Sequence, residues 1–81
     1  MRIAFAPAAW RAWRKLPQDV QTRLQRKLIE YANNPLRHAV KLTDPAIGTY
    51  RFRIGDYRIV FDIVGQEIVI LAVGRRKDIY R

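Results

Sequence analysis

The sequence predicts an α+β domain in which a helical hairpin packs on one face of a mainly antiparallel four-stranded sheet, in the order β-α-α-β-β-β. Three observations carry this reading. Val20, Leu24, Leu28 and Tyr31 recur at helical spacing between Pro17 and Asn33. From Tyr50 to Phe61, aromatic and β-branched residues alternate with arginines on both sides of Gly55-Asp56, a pair suited to a type II′ turn. A second such pair, Gly65-Gln66, leads into the apolar run from Glu67 to Val73.

Arg2 to Ala6 opens the chain as a short strand with Ile3 and Phe5 on one face, and Pro7 ends it. Proline is comfortable at the first helical position, so a short helix follows from Pro7 to about Lys15. Trp10, Trp13 and Leu16 form its stripe, and at that spacing the tryptophans read as core rather than as base-stacking platforms. Pro17 separates this helix from the second, which runs to about Ala32 and is ended by Asn33-Asn34-Pro35. Leu36 to Ile47 reads as a loop holding Asp44-Pro45 and the single histidine, His38, which is taken as surface structure rather than as an acid or base.

In the first strand hairpin, Tyr50, Phe52 and Ile54 share a face with Tyr57, Ile59 and Phe61, while Arg51, Arg53 and Arg58 fall on the other. With Gly55 and Asp56 as loop residues, Arg53 lies directly opposite Arg58. Such a like-charge cross-strand pair costs stability, which makes sense if an anion belongs between the two. Register carried through Gly65-Gln66 places Val73 opposite Arg58 and Leu71 opposite Val60. The opposite, apolar face is left for the helices.

Eighty-one residues make one domain, 1–81, burying roughly 60% of its unfolded surface. With 49% hydrophobic residues and no cysteine, the core forms without disulfides. No apolar run approaches the roughly 20 residues of a membrane span. The Met1 end lacks the pattern of a signal peptide, so the expected location is cytoplasmic, with no membrane partner. Sixteen Lys and Arg against seven Asp and Glu, a net charge of +9, favour an anionic partner.

One histidine, no cysteine and no acidic cluster at ligand spacing set metal sites aside. Four scattered glycines form neither a Walker loop nor a dinucleotide fingerprint, so no cofactor is expected. There is no serine, and neither Thr22 nor Thr43 has a histidine partner placed by the sequence. What remains is a cluster of Arg51, Arg53, Arg58, Arg75, Arg76 and Lys77 with Tyr80. Guanidinium groups bind phosphate bidentately and can stabilise the extra charge on a pentacoordinate phosphorus. Tyrosine adds a stacking surface for a base, or a hydroxyl able to exchange a proton. RNA supplies its own 2′-OH nucleophile, so a metal-free ribonuclease needs little more.

The pattern Tyr50-Arg51-Phe52-Arg53, Asp56-Tyr57-Arg58-Ile59-Val60-Phe61 and Ala72-Val73-Gly74-Arg75-Arg76-Lys77-Asp78-Ile79-Tyr80 resembles the RelE/ParE superfamily of bacterial toxin-antitoxin toxins. The similarity covers nearly the whole chain, and its carboxy-terminal third is the specific part. It implies a toxin that enters the ribosomal A site and cleaves mRNA there. It also implies a cognate acidic antitoxin that wraps the toxin, with operator DNA reached only through that antitoxin. On the resemblance, Arg58, Arg76 and Tyr80 are the catalytic residues, and Arg51, Arg53, Arg75 and Lys77 bind substrate. RelE itself commonly carries lysine at the second-strand positions, where this chain has Arg51 and Arg53. Arginine does not give up its proton, which leaves Tyr80, Lys77, or the ribosome and substrate to supply a base. Many relatives also have histidine where Arg75 stands. The ParE-like branch, which poisons DNA gyrase by binding it and lacks this cluster, is the alternative, beside a relative that binds nucleic acid without cutting.

Overall fold

The computed structural model describes residues 1–42, 49–75 and 77. The order is β1 (Arg2–Phe5), α1 (Pro7–Arg14), α2 (Gln18–Ala32), α3 (Pro35–His38), β2 (Val40–Lys41), β3 (Tyr50–Ile54), β4 (Tyr57–Val64) and β5 (Glu67–Arg75). The α+β class is as the sequence indicates, but the sheet has five strands, ordered β1-β5-β4-β3-β2. One addition starts at Pro35, read as part of the stop signal, and runs into the Leu36 to Ile47 stretch read as loop, and the other lies within that stretch. Pro35 starts a one-turn helix at its first position instead of only ending α2, and Val40–Lys41 pairs with Arg51 and Tyr50. Every pairing is antiparallel except β1 with β5, which is parallel from Arg2↔Glu67 to Phe5↔Ile70.

Pro7 stands in the first turn of α1, where its missing N–H costs nothing, and the other end closes at Lys15, whose N–H donates to the Ala12 carbonyl while the Leu16 N–H donates to that of Trp13. Trp13 is buried; Trp10, three residues earlier, remains 47% exposed. Both tryptophans meet Phe5 edge-on, with ring centroids 5.4 and 5.2 Å away. The Gln21 amide nitrogen donates to the Leu16 carbonyl at 2.9 Å, bracing the turn between the helices. Leu24, Leu28 and Ala32 are the buried ridge of α2. At its end, the Met1 ammonium donates to the Ala32 carbonyl at 3.1 Å, a cation at the negative pole of the helix.

These helical residues close over the odd-numbered side chains of β4 and their partners: Phe52, Ile54, Tyr57, Ile59, Phe61, Ile68, Ile70 and Val73. Phe52 stacks on Phe61 at 4.2 Å and meets Tyr31 of α2 at a tilt of 56°, with ring centroids 5.2 Å apart. His38 lies flat on Tyr31 at 4.2 Å, on the helix side of the sheet. Both tight turns have a glycine at φ near +60°, Gly55 at 58° and Gly65 at 59°. No other described residue has positive φ, as a type II′ turn requires of its second loop position.

Phe61 is wholly buried at the centre of this layer. Phe61→Ala is therefore expected to lower unfolding free energy by about 3–5 kcal/mol in urea titrations. Val64→Ala, at the exposed end of the same strand, should stay within about 0.5 kcal/mol.

Candidate functional site

The first hairpin takes the register expected from its turn: Ile54↔Tyr57, Arg53↔Arg58, Phe52↔Ile59, Arg51↔Val60 and Tyr50↔Phe61. Arg51, Arg53 and Arg58 consequently share the face turned away from the helices. Their burial differs. Arg53 is exposed, Arg51 is half-buried, and Arg58 is only 4% exposed, the one buried charged side chain among the described residues. Its Nη1 donates to the Gly55 carbonyl at 3.2 Å and the Tyr57 carbonyl at 3.1 Å. A guanidinium cannot shed its proton, so burial has to be met by acceptors, and these two bonds turn the charge back toward the Gly55-Asp56 loop.

The second hairpin departs from the expected register. From Val64↔Glu67 to Phe61↔Ile70 the pairing follows the Gly65-Gln66 turn, but Val60 then pairs with Ala72, leaving Leu71 as a bulge. One extra residue reverses the facing of everything beyond it. Arg58 stands opposite Gly74 rather than Val73, Val60 opposite Ala72 rather than Leu71, and Val73 turns into the core beside Ile59. The arginine face is thus smaller in side chain than the even register implies, with Ala72 and Gly74 beside Val60 and Arg58. Arg75 stands opposite Tyr57, on the helix side of the sheet, and is exposed. Lys77 is also exposed, and Arg76 and Tyr80 lie outside the described residues.

The acidic side chains on the arginine face occupy its other end. Asp62 pairs in register with Val69, and Glu67 with Val64 and Arg2, both toward the Gly65 turn. Asp62 accepts the Thr49 N–H at 2.7 Å, which fixes the entry to β3. Charge is therefore graded along the sheet, with the arginines gathered at the Gly55 end. No group of three or more His, Cys, Asp or Glu side chains suited to a metal occurs among the described residues.

Two features have no local signature in the sequence. Arg23 of α2 places its guanidinium carbon 5.8 Å from the Tyr57 ring centroid, bringing a helix cation to the sheet hairpin. Ile3, Phe5, Trp10, Trp13, Gln25, Leu28 and Ile29 line an apolar groove of about 320 Å³ where β1 meets the helices. Trp10 and the 58% exposed Ile29 are its outer walls.

Residues 3–80 match the family model described as ParE toxin of type II toxin-antitoxin system, parDE. The chain is 32% identical over 78 residues to the mRNA interferase toxin RelE of Escherichia coli K12, covering 93% of this chain and 82% of that protein. In three dimensions it resembles a chain of the RelBE2 toxin-antitoxin complex of Mycobacterium tuberculosis, with TM-score 0.81, 28% identity, and 93% and 96% of the two chains covered. It also resembles isolated E. coli RelE, with TM-score 0.77, 27% identity, and 91% and 82% covered.

The Arg53/Arg58 apposition yields an expected outcome independent of any substrate. In thermal melts at low ionic strength, Arg53→Thr should be as stable as the parent or more so, by up to about 1 kcal/mol, because it removes a like-charge cross-strand pair. The advantage should shrink in 0.5 M salt, where the Debye length falls to about 4 Å, and a loss of stability at low salt would mean that the two charges do not repel.

Proposed function

This chain belongs to the RelE/ParE family of type II toxin-antitoxin toxins, and from that premise we propose that it is a ribosome-dependent mRNA endonuclease acting without a metal in the A site. The observation that carries the reading is the gathering of Arg51, Arg53 and buried Arg58 on one sheet face at the Gly55 end. An RNA phosphodiester laid there meets donors already oriented by the sheet. The substrate's 2′-oxygen attacks phosphorus in line, the bond from phosphorus to the 5′-oxygen breaks, and the products carry a 2′,3′-cyclic phosphate and a 5′-hydroxyl. Arg58, with Arg76, stabilises the negative charge that builds on the phosphoryl oxygens. Tyr80 or Lys77, or a group of the ribosome or substrate, takes the 2′-proton, since Arg51 and Arg53 cannot. Arg51, Arg53, Arg75 and Lys77 hold the backbone.

A cognate acidic antitoxin completes the proposal. Complexes of RelE with RelB are among the structures this fold resembles. The partner covers either the arginine face or the helical hairpin, and the groove walled by Trp10 and Ile29 is the part of the hairpin that an amphipathic helix fills. The second reading, a protein-binding gyrase poison, is favoured by the ParE description of the matching family model.

With translating ribosomes and mapped mRNA ends, cuts should fall in the A-site codon, and Arg58→Ala should slow them by about 10²–10³-fold. Tyr80→Ala should also slow them, and free RNA should be cut poorly because the ribosome fixes the in-line geometry. Intact message together with blocked DNA supercoiling would decide for the gyrase reading. Separately, Ile29→Asp with Trp10→Ser removes the edge contact of Trp10 with Phe5 and should lower toxin stability by about 1–2 kcal/mol while leaving it folded. The same double variant should weaken capture of the acidic protein encoded in the neighbouring frame by at least about tenfold. Unchanged capture would move the antitoxin to the arginine face.

A further inference from the structure

Four guanidinium-bearing side chains from four different elements surround one two-residue turn. Arg53 and Arg58 approach Gly55-Asp56 from the face opposite the helices, and Arg58 bonds the Gly55 carbonyl directly. Arg23 arrives from α2 on the other side: its Nη2 lies 3.9 Å from where a Cβ on Gly55 would stand, and its guanidinium lies over Tyr57. Arg75 stands opposite Tyr57 in the β4–β5 register, so it shares that second side with Arg23. Asp56 is the one acidic residue of the turn.

Arg23 is not held there by a carboxylate among the described residues. The ion pair of α2 is Lys27 with Glu30 at 3.5 Å, and Asp19, one turn before Arg23, is not bonded to it. Contact of the exposed Arg23 side chain with the Tyr57 ring contributes about 0.5–1 kcal/mol and does not use its N–H donors in a hydrogen bond. Gathering cations at one end of a chain already at +9 opposes folding. An anion that spans both sides of the turn offsets that cost, and a flexible phosphodiester chain is such an anion.

We propose that Arg23 and Arg75 form a second phosphate-binding station, on the helix side of the β3–β4 hairpin, for a single-stranded RNA that also lies on the Arg51/Arg53/Arg58 face and bends around Gly55-Asp56. The proposal rests on the RNA-cleaving reading above and adds to it the path of the strand. It also gives Arg75 a substrate role consistent with its facing.

The test is salt-dependent binding of a fluorescent 2′-O-methyl RNA, which is bound but has no 2′-OH to attack, to purified toxin. The wild-type log–log slope against salt is expected near −3.5, from about five contacts at about 0.7 each. Arg23→Gln and Arg75→Gln should each make it shallower by about 0.7, and the double variant by about 1.4. Arg23→Lys, which keeps the charge, should retain the wild-type slope. Arg37→Gln is the control: it removes an exposed arginine of α3, ahead of β2, which pairs at the opposite end of β3 from the turn. A scan with single uncharged methylphosphonate linkages should find one linkage whose neutralisation weakens wild type but not Arg23→Gln, distinct from the linkage that behaves so with Arg58→Ala. A salt-dependent wild type in which Arg23→Gln matches Arg37→Gln overturns the second station alone. A wild type with no salt-dependent RNA binding overturns the cleavage reading on which it rests.

Discussion

Strand register at the Gly55-Asp56 turn is the constraint on which the rest of the molecule depends. Every core side chain of β3 and β4 lies on one face because the two-residue loop sets Ile54 against Tyr57. A slip of one residue between the two strands would put Tyr50, Phe52 and Ile54 on the opposite face from Tyr57, Ile59 and Phe61 and leave the helices half a core to cover. Burial of three large side chains, each worth about 1.5–3 kcal/mol, outweighs the up to about 1 kcal/mol lost by setting Arg53 against Arg58. The arginine pair is therefore held together by packing on the reverse of the sheet. A site organised in this way needs no stabilising interaction of its own.

The bulge at Leu71 does for β5 what the turn does for β3 and β4, with the opposite sense. Before it, Ile68 and Ile70 face the helices; after it, Val73 does. Each stretch thus fills its own part of the core, while Ala72 and Gly74 come to lie beside Val60 and Arg58. The local shift also sends the end of the strand to the helix side, which is why Arg75 stands opposite Tyr57, whose ring Arg23 overlies, rather than opposite Arg58.

Much of this was legible in the residues themselves. The period of two through Tyr50–Phe61 and the two glycine turns determine which arginines share a face, and the period of α2 determines its buried ridge. What escaped did so for physical reasons. Leu71, Ala72 and Val73 are apolar on both sides of the strand, so no alternation marks where the register jumps. Val40–Lys41 is too short to show a period, and Pro35 signals equally the end of one helix and the start of another. Arg23 reaches the hairpin only through tertiary packing, and its neighbours on α2 carry no hint of it.

The parallel pairing of β1 with β5 has a consequence for the chain during its own synthesis. Residues 2–5 find their sheet neighbour in residues 67–70, and β1 has no other among the described residues. Loop closure over that separation has to follow, rather than precede, the local hairpins. As the chain emerges amino end first, its first strand waits unpaired until β5 has been made. The strand that completes the sheet for β1 is the same one that sets Gly74 beside Arg58. Closure of the fold and completion of the arginine face are thus a single late event, although the β3–β4 hairpin that sets Arg53 against Arg58 forms locally before it.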